Sequence, residues 1–191
     1  MTKIILASTS PRRKWVMEQM GMAFKIVSSD YDEDMSRKLS PRQMVRLFSR
    51  EKAKAVAQKY KNSVVIGADT VVVFEGRIFG KPKNRADAKK MLRALSGKMN
   101  LVVTGYTIWH GKTGKNISRV VETKVYVRKI SDQEIDNYVA TGEAMDKAGA
   151  FAGHGLGSIF IERIDGDFFN MAGLPMHNVV LDLKKFGVKV I

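Results

Sequence analysis

The chain has 191 residues and no cysteine, which excludes a disulfide scaffold, a thiolate nucleophile and thiolate metal sites. Its 33 Lys and Arg stand against 19 Asp and Glu, and the resulting +14 favours polyanionic partners. The length fits a single domain over 1–191, or two lobes sharing a core. No apolar run is long enough to span a bilayer or to serve as a secretory signal, so a soluble cytoplasmic protein is expected.

Lys3 to Ala7 reads as a first, central strand. After Ser8-Thr9-Ser10, Pro11 opens a helix to Met20, with Ser10 at the N-cap and Gly21 past the end. Arg12 and Arg13 then sit in the first turn, where the macrodipole disfavours cations, so a negative group is expected there. Two surface arginines beside an ordinary cap are the plainer alternative. No G-x-x-x-x-G-K-[ST] occurs, so this is not a Walker A loop. Phe24 to Val27 reads as a second strand and leads to the acidic loop Asp30-Tyr31-Asp32-Glu33-Asp34. That loop either solvates itself or offers oxygen ligands to a hard divalent cation.

Ser40-Pro41-Arg42-Gln43 is a capping box that starts a helix to about Tyr60. Lys52 falls on the apolar stripe of that helix, so it either snorkels from the core edge or enters a pocket. Val64 to Val73 is β-branched and apolar, interrupted by one acid, Asp69. Two readings stay open: a buried strand whose acid faces a cleft, a cation or a metal, or a turn at Gly67 and Asp69 between two short strands. Phe74 to Ile78 is hairpin-like, and Gly80-Lys81-Pro82 holds Lys81 in extended chain.

A helix is expected after Asn84, ending at Gly97. The runs 100–110 and 116–128 read as an antiparallel hairpin, and Ser131-x-x-Glu134 caps a further helix. The small-residue segment 148–157 lets backbone approach a ligand, or is a flexible connection. A strand near Ser158 to Ile164, a turn at 165–167, a helix from Met176 to Phe186 and a strand from Val188 to Ile191 complete the expectation.

Several separated stretches together resemble the Maf family of septum-formation-like nucleotide pyrophosphatases. They include Leu6 to Arg13, Glu33, Lys52-Ala53, Ile66 to Val72, Gly80-Lys81-Pro82, Leu95-Ser96-Gly97, Tyr138 to Glu143, Asp146 to Ala150 and Ile161 to Asp167. The resemblance implies an α/β fold like that of inosine triphosphate pyrophosphatases: a mixed central sheet with flanking helices, two lobes around a cleft, and commonly a homodimer. It implies a house-cleaning enzyme that hydrolyses nucleoside triphosphates to the monophosphate and pyrophosphate with a divalent cation, Mg or Mn.

Carried over by position, Asp69 resembles the proton acceptor. Ser8, Arg12, Arg13, Lys52 and Lys81 resemble phosphate ligands, with Lys52 and Lys81 counted among the catalytic residues, and Glu33 helps Asp69 with the metal. Thr70 is similar to the branch that takes dTTP and UTP rather than the one that prefers 7-methylguanosine triphosphate. At the base-selecting position, however, the family's Ile-Gln-Gly is here Gly153-His154-Gly155. Imidazole offers one hydrogen bond per ring nitrogen where an amide offers a donor and an acceptor on one edge, so His154 contacts a base differently.

A triphosphate carries roughly −3 to −4, and neutralising it is the main contribution a protein makes to such chemistry. A basic nucleic-acid-binding protein is the competing class. It predicts steep salt dependence, yet no basic stripe interleaved with stacking aromatics is present.

Overall fold

In the computed structural model, which describes residues 3–34 and 36–190, local signals and elements agree over most of the chain. The elements are β1 (Lys3–Leu6), α1 (Pro11–Gln19), β2 (Lys25–Ile26), α2 (Pro41–Lys59), β3 (Ser63–Phe74), β4 (Arg77–Phe79), α3 (Arg85–Leu95), β5 (Met99–His110), β6 (Asn116–Val127), α4 (Asp132–Ala140), β7 (Ile161–Asp165), α5 (Phe168–Met171) and α6 (Met176–Lys184). Seven strands form one sheet in the order β2-β1-β3-β5-β6-β7, with β4 pairing β3. β1 runs parallel to β2 and β3, because helical crossovers connect them, whereas β4 on β3 and β7 on β6 are antiparallel. The sheet is therefore mixed, as expected.

The chain divides into two units. One comprises 1–69, 104–121 and 173–191, and the other 70–103 and 122–172. In the first, α2 lays Ala53, Val56 and Ala57 over Ile5, Ala7 and Val65 of the parallel strands. In the second, α3 and α4 bury Leu92, Leu95, Ile135 and Val139 with Val72, Val102 and Phe160. Capping boxes at Ser40 with Gln43 and at Ser131 with Glu134 start α2 and α4, and the Asn84 side chain caps α3.

β3 resolves the choice left open at Asp69. It is one continuous strand of 12 residues, and Gly67 lies within it rather than in a turn. A Cβ at Gly67 would stand 2.5 Å from the Ser49 carbonyl oxygen and 2.7 Å from the Ala53 nitrogen, both backbone atoms of α2. Glycine is there so that helix and strand can touch.

Three expectations are corrected. Residues 156–160 form a 3-10 turn before β7 rather than the start of a strand, because the amides of Leu156 and Gly157 donate to the Glu143 carboxylate instead of a ladder. α5 was not anticipated: Asp167 accepts from the Asn170 amide, and the Asn170 side chain donates to the Val102 carbonyl and Thr123 Oγ1. After α6 the chain turns at Gly187, φ 74°, with the Val188 amide donating to Leu183, and residues 188–190 form no strand. Ile191, the end of that expected strand, lies outside the described residues.

In the first unit Asp182 of α6 is 1% exposed and accepts from Tyr106 Oη at 2.6 Å, from Arg119 through two nitrogens, and from Lys185. Burial pushes its pKa up, but the donors from Arg119, Lys185 and Tyr106 outweigh that and hold it well below the usual carboxylate range. Arg119 and Lys185 are about half exposed, so salt screens their share, and the buried Tyr106 hydroxyl carries more. Because the folded pKa is depressed, this stabilisation is complete above about pH 4, the unfolded value, and is lost as pH falls through the folded one. Asp182→Asn is expected to cost about 2 kcal/mol at pH 7. In thermal melts from pH 7 to pH 2 the gap to wild type should close only below about pH 4.

Candidate active site

Five of the residues singled out in the sequence meet in the first unit. Asp69, on β3, is 8% exposed, and Lys52, on α2, is equally buried. The Lys52 ammonium lies 2.8 Å from Asp69 Oδ1 and 2.5 Å from Glu33 Oε1, bridging the two carboxylates. From its stripe position Lys52 therefore turns inward to two carboxylates rather than snorkelling to solvent. A buried cation this close to two acids needs both, because an uncompensated charge there costs several kcal/mol.

Glu33 is drawn from the acidic loop, and its neighbours go elsewhere. Asp30 pairs with Lys59, and Asp34 accepts from Ser36 and Arg37. The Tyr31 ring packs at 6.0 Å on Phe48 of α2, which holds the loop beside the helix that carries Lys52. The loop does not gather its acids around one point. Among the described residues no group of three or more His, Asp or Glu side chains converges.

The arginine turn completes the cluster. β1 ends with the Ala7 amide bonded to the Ile66 carbonyl, which fixes where Ser8 emerges beside β3. Arg13 Nη1 donates to Ser8 Oγ at 3.2 Å, and Nε donates to the Gly173 carbonyl at 3.0 Å. Burial pushes the Arg13 guanidinium pKa down. The charges of Asp69 and Glu33 oppose that, and neighbouring Arg12 adds to it. Ser10 occupies the N-cap of α1 without the side-chain bond that caps α2, α3 and α4, which leaves this helix start to other acceptors.

Thr70, Lys81 and His154 belong to the second unit. Thr70 is the residue after Asp69 on β3. Lys81 is exposed, and the carbonyl of Gly80 before it accepts from the Gly149 amide, which anchors the segment to the 148–150 turn. His154 is half-buried between two constrained glycines. A Cβ at Gly153 would meet the Met171 side chain, and Gly155 adopts φ 86° against the Glu143 carboxylate. Sequence reasoning missed Gly173 and gave Glu143 no role. Gly173 acts through its backbone oxygen, which leaves no signal in residue type.

Two carboxylates with a cation between them supply hard oxygen donors. Mg and Mn are ordinarily held by one or two carboxylates together with waters and substrate phosphates. Glu33 and Asp69, whose carboxylates share the Lys52 ammonium, match that donor chemistry.

Comparison with known proteins places the chain in a family. The family model described as Maf-like protein matches residues 3–186. A dTTP/UTP pyrophosphatase of Methanosarcina barkeri is 46% identical over 191 residues, covering 100% of this chain and 97% of its own length. One from Geobacillus is 46% identical over 187 residues, covering 98% of this chain and 100% of its own. Among solved structures, a HAM1 protein from Coxiella burnetii superposes with a TM-score of 0.52 at 14% identity, covering 97% of this chain and 100% of that one; this likeness concerns the fold alone, the inosine triphosphate pyrophosphatase-like one expected. Matched almost from end to end, the chain belongs to the Maf-like protein family.

Proposed function

We propose that this protein is a nucleoside triphosphate pyrophosphatase that takes dTTP and UTP and releases the monophosphate and pyrophosphate. The observation that carries the reading is the Lys52 ammonium held between Asp69 and Glu33, with Arg13 in the field of both acids. The names of the relatives support the pyrimidine preference.

In this mechanism Ser8, Arg12 and Arg13 bind phosphate oxygens at the start of α1. Lys52 orients the Asp69 carboxylate through its 2.8 Å bond, and Asp69 takes the proton of the attacking water. The new phosphorus–oxygen bond forms as the anhydride between the α and β phosphates breaks, and pyrophosphate leaves with the electron pair. The family resemblance also assigns Lys81 to the triphosphate, and Thr70 and His154 to the nucleoside. Glu33 and Asp69 would hold a Mg or Mn ion. When bound, that ion supplies charge neutralisation on the phosphates and acidifies water. The whole chain acts as one catalytic domain, as a homodimer in the cytoplasm.

The test is a panel of canonical and modified nucleoside triphosphates with added Mg or Mn and a pyrophosphate readout. Release is expected to be fastest with dTTP or UTP. Faster turnover of 7-methylguanosine triphosphate would move the substrate assignment, and no release from any nucleotide would end it.

A further inference from the structure

The 3-10 turn over 156–160 starts without a cap of its own. Its first amides need acceptors, and the N-cap position that ordinarily supplies one is Gly155, which has no side chain to offer. The acceptors come instead from Glu143, on the short 3-10 turn Glu143–Asp146 that follows α4. Its Oε2 accepts from the Leu156 amide at 3.0 Å, and its Oε1 accepts from the Gly157 amide at 2.9 Å. Burial pushes the Glu143 pKa up, yet the Gly157 and Leu156 amides, the Tyr138 hydroxyl and the Lys147 charge outweigh it and hold it below its ordinary value. At neutral pH this group is a carboxylate.

A Ser or Asp at the N-cap would satisfy the same turn locally. A carboxylate 13 positions upstream of Leu156 does more, because it ties the turn to α4 and the body of the second unit. The backbone is shaped to allow it. Gly155 has φ 86°, and a Cβ there would stand 2.9 Å from Glu143 Oε2, so no capping side chain fits without displacing that carboxylate. Tyr138, on α4, donates its hydroxyl to Glu143 Oε1 at 3.1 Å and packs its ring edge-on against Phe160, with centroids 5.0 Å apart. Apolar side-chain burial anchors the turn only at Phe160, since Leu156 and Ile159 are 53% and 59% exposed.

His154 stands two residues before the first anchored amide. Gly153 on its other side is packed on the Met171 side chain, which a Cβ there would meet. The imidazole is thus carried by a segment pinned before it by Met171 and after it by Glu143, all within one unit.

We infer that Glu143 is a positioning residue for base selection: by holding the Leu156 and Gly157 amides it sets where the His154 imidazole meets the base, without itself contacting the nucleotide. This rests on the functional reading in which His154 contacts the nucleoside. Hydrogen bonds weaken steeply with misalignment, so a ring that reads a base edge discriminates only as well as its backbone is held.

The readout is the ratio of kcat/KM for UTP to that for CTP, which carry the same sugar and phosphates and differ along one edge of the base. Glu143→Gln keeps the shape but turns an amide NH2 against one of the two backbone donors, so one bond is lost. The ratio is expected to fall about tenfold, with most of the loss in KM for UTP. Inhibition by inorganic tripolyphosphate, which has no base, should stay within about twofold of wild type, which general damage to the site would not allow. His154→Ala should lower the ratio as well, and the double variant should fall no further than the lower single variant, because one residue acts through the other. Where Glu143→Gln does not fold, Tyr138→Phe removes one donor to the same carboxylate, keeps the ring on Phe160 and is read in the same cycle. An unchanged ratio in the Glu143 variant, additive losses in the cycle, or a matching loss of tripolyphosphate inhibition would overturn the inference and leave the functional reading standing. An unchanged ratio in His154→Ala would end both the assignment of His154 to the base and the inference built on it.

Discussion

Asp69→Asn is expected to lower kcat for pyrophosphate release about a thousandfold, the middle of the range that a positioned proton acceptor contributes. The amide has the size of the carboxylate, and its oxygen can still accept from Lys52 Nζ, now 2.8 Å from Asp69 Oδ1. Lys52 also keeps Glu33 at 2.5 Å, so the buried ammonium is not stranded. What the substitution removes is the capacity to take a proton from water. KM should therefore change much less than kcat, and the melting temperature should stay near that of wild type. A variant retaining more than about a tenth of the wild-type kcat would show that this carboxylate is not the proton acceptor.

Gly67→Ala is expected to destabilise the protein by about 3 kcal/mol, at the upper end of the usual cost of overpacking, and to lower the melting temperature by about 6–12 °C. The added methyl group would stand 2.5 Å from the Ser49 carbonyl oxygen, 2.7 Å from the Ala53 nitrogen and 2.9 Å from Ala53 Cβ. Two of these are backbone atoms of α2, so no side-chain rotation relieves the overlap and the helix itself has to retreat. Lys52 lies between Ser49 and Ala53 on that helix, and its ammonium bonds Asp69 two residues along β3. Displacement of about 1 Å at such a contact costs on the order of a hundredfold in rate, so activity should fall even where the variant remains folded. An unchanged melting temperature together with unchanged activity would mean that helix and strand are not held in this close approach.

Both predictions depend on contacts distant in sequence, and this separates what could be read from the residues from what could not. Ser40-Pro41-Arg42-Gln43 and Ser131-x-x-Glu134 announce helix starts because capping is completed within four residues, and both boxes form as expected. The β-branched run around Asp69 announces a strand for the same local reason. The 156–160 turn was misread because its amides are taken by Glu143, a partner more than a dozen residues upstream. α5 escaped notice because its four residues are held by Asn170 bonds to Val102 and Thr123, far along the chain.

The acidic loop shows the same division at the level of chemistry. As five residues in a row, Asp30 to Asp34 read first as a solvated loop and only otherwise as a hard-cation site. In the fold only Glu33 reaches Lys52, while Asp30 and Asp34 pair with neighbours of their own. Arg13 is legible as a cation in an awkward helical turn. That it is held by Ser8 and by the Gly173 carbonyl, 160 residues away, is not legible at all.

By itself, then, the sequence announced most helix starts, the β-branched character of β3 and a pair of arginines in an unfavourable helical turn, because periodicity, capping and charge placement act over a few residues. The mixed α/β class followed from the resemblance to a known family. Only the tertiary structure decided that Gly67 is a contact rather than a turn, that Lys52 points inward, and that Glu33 is the acid it shares with Asp69. Those outcomes depend on which backbone atoms of α2 lie against β3, and that distance is set by packing between segments that local propensity does not connect.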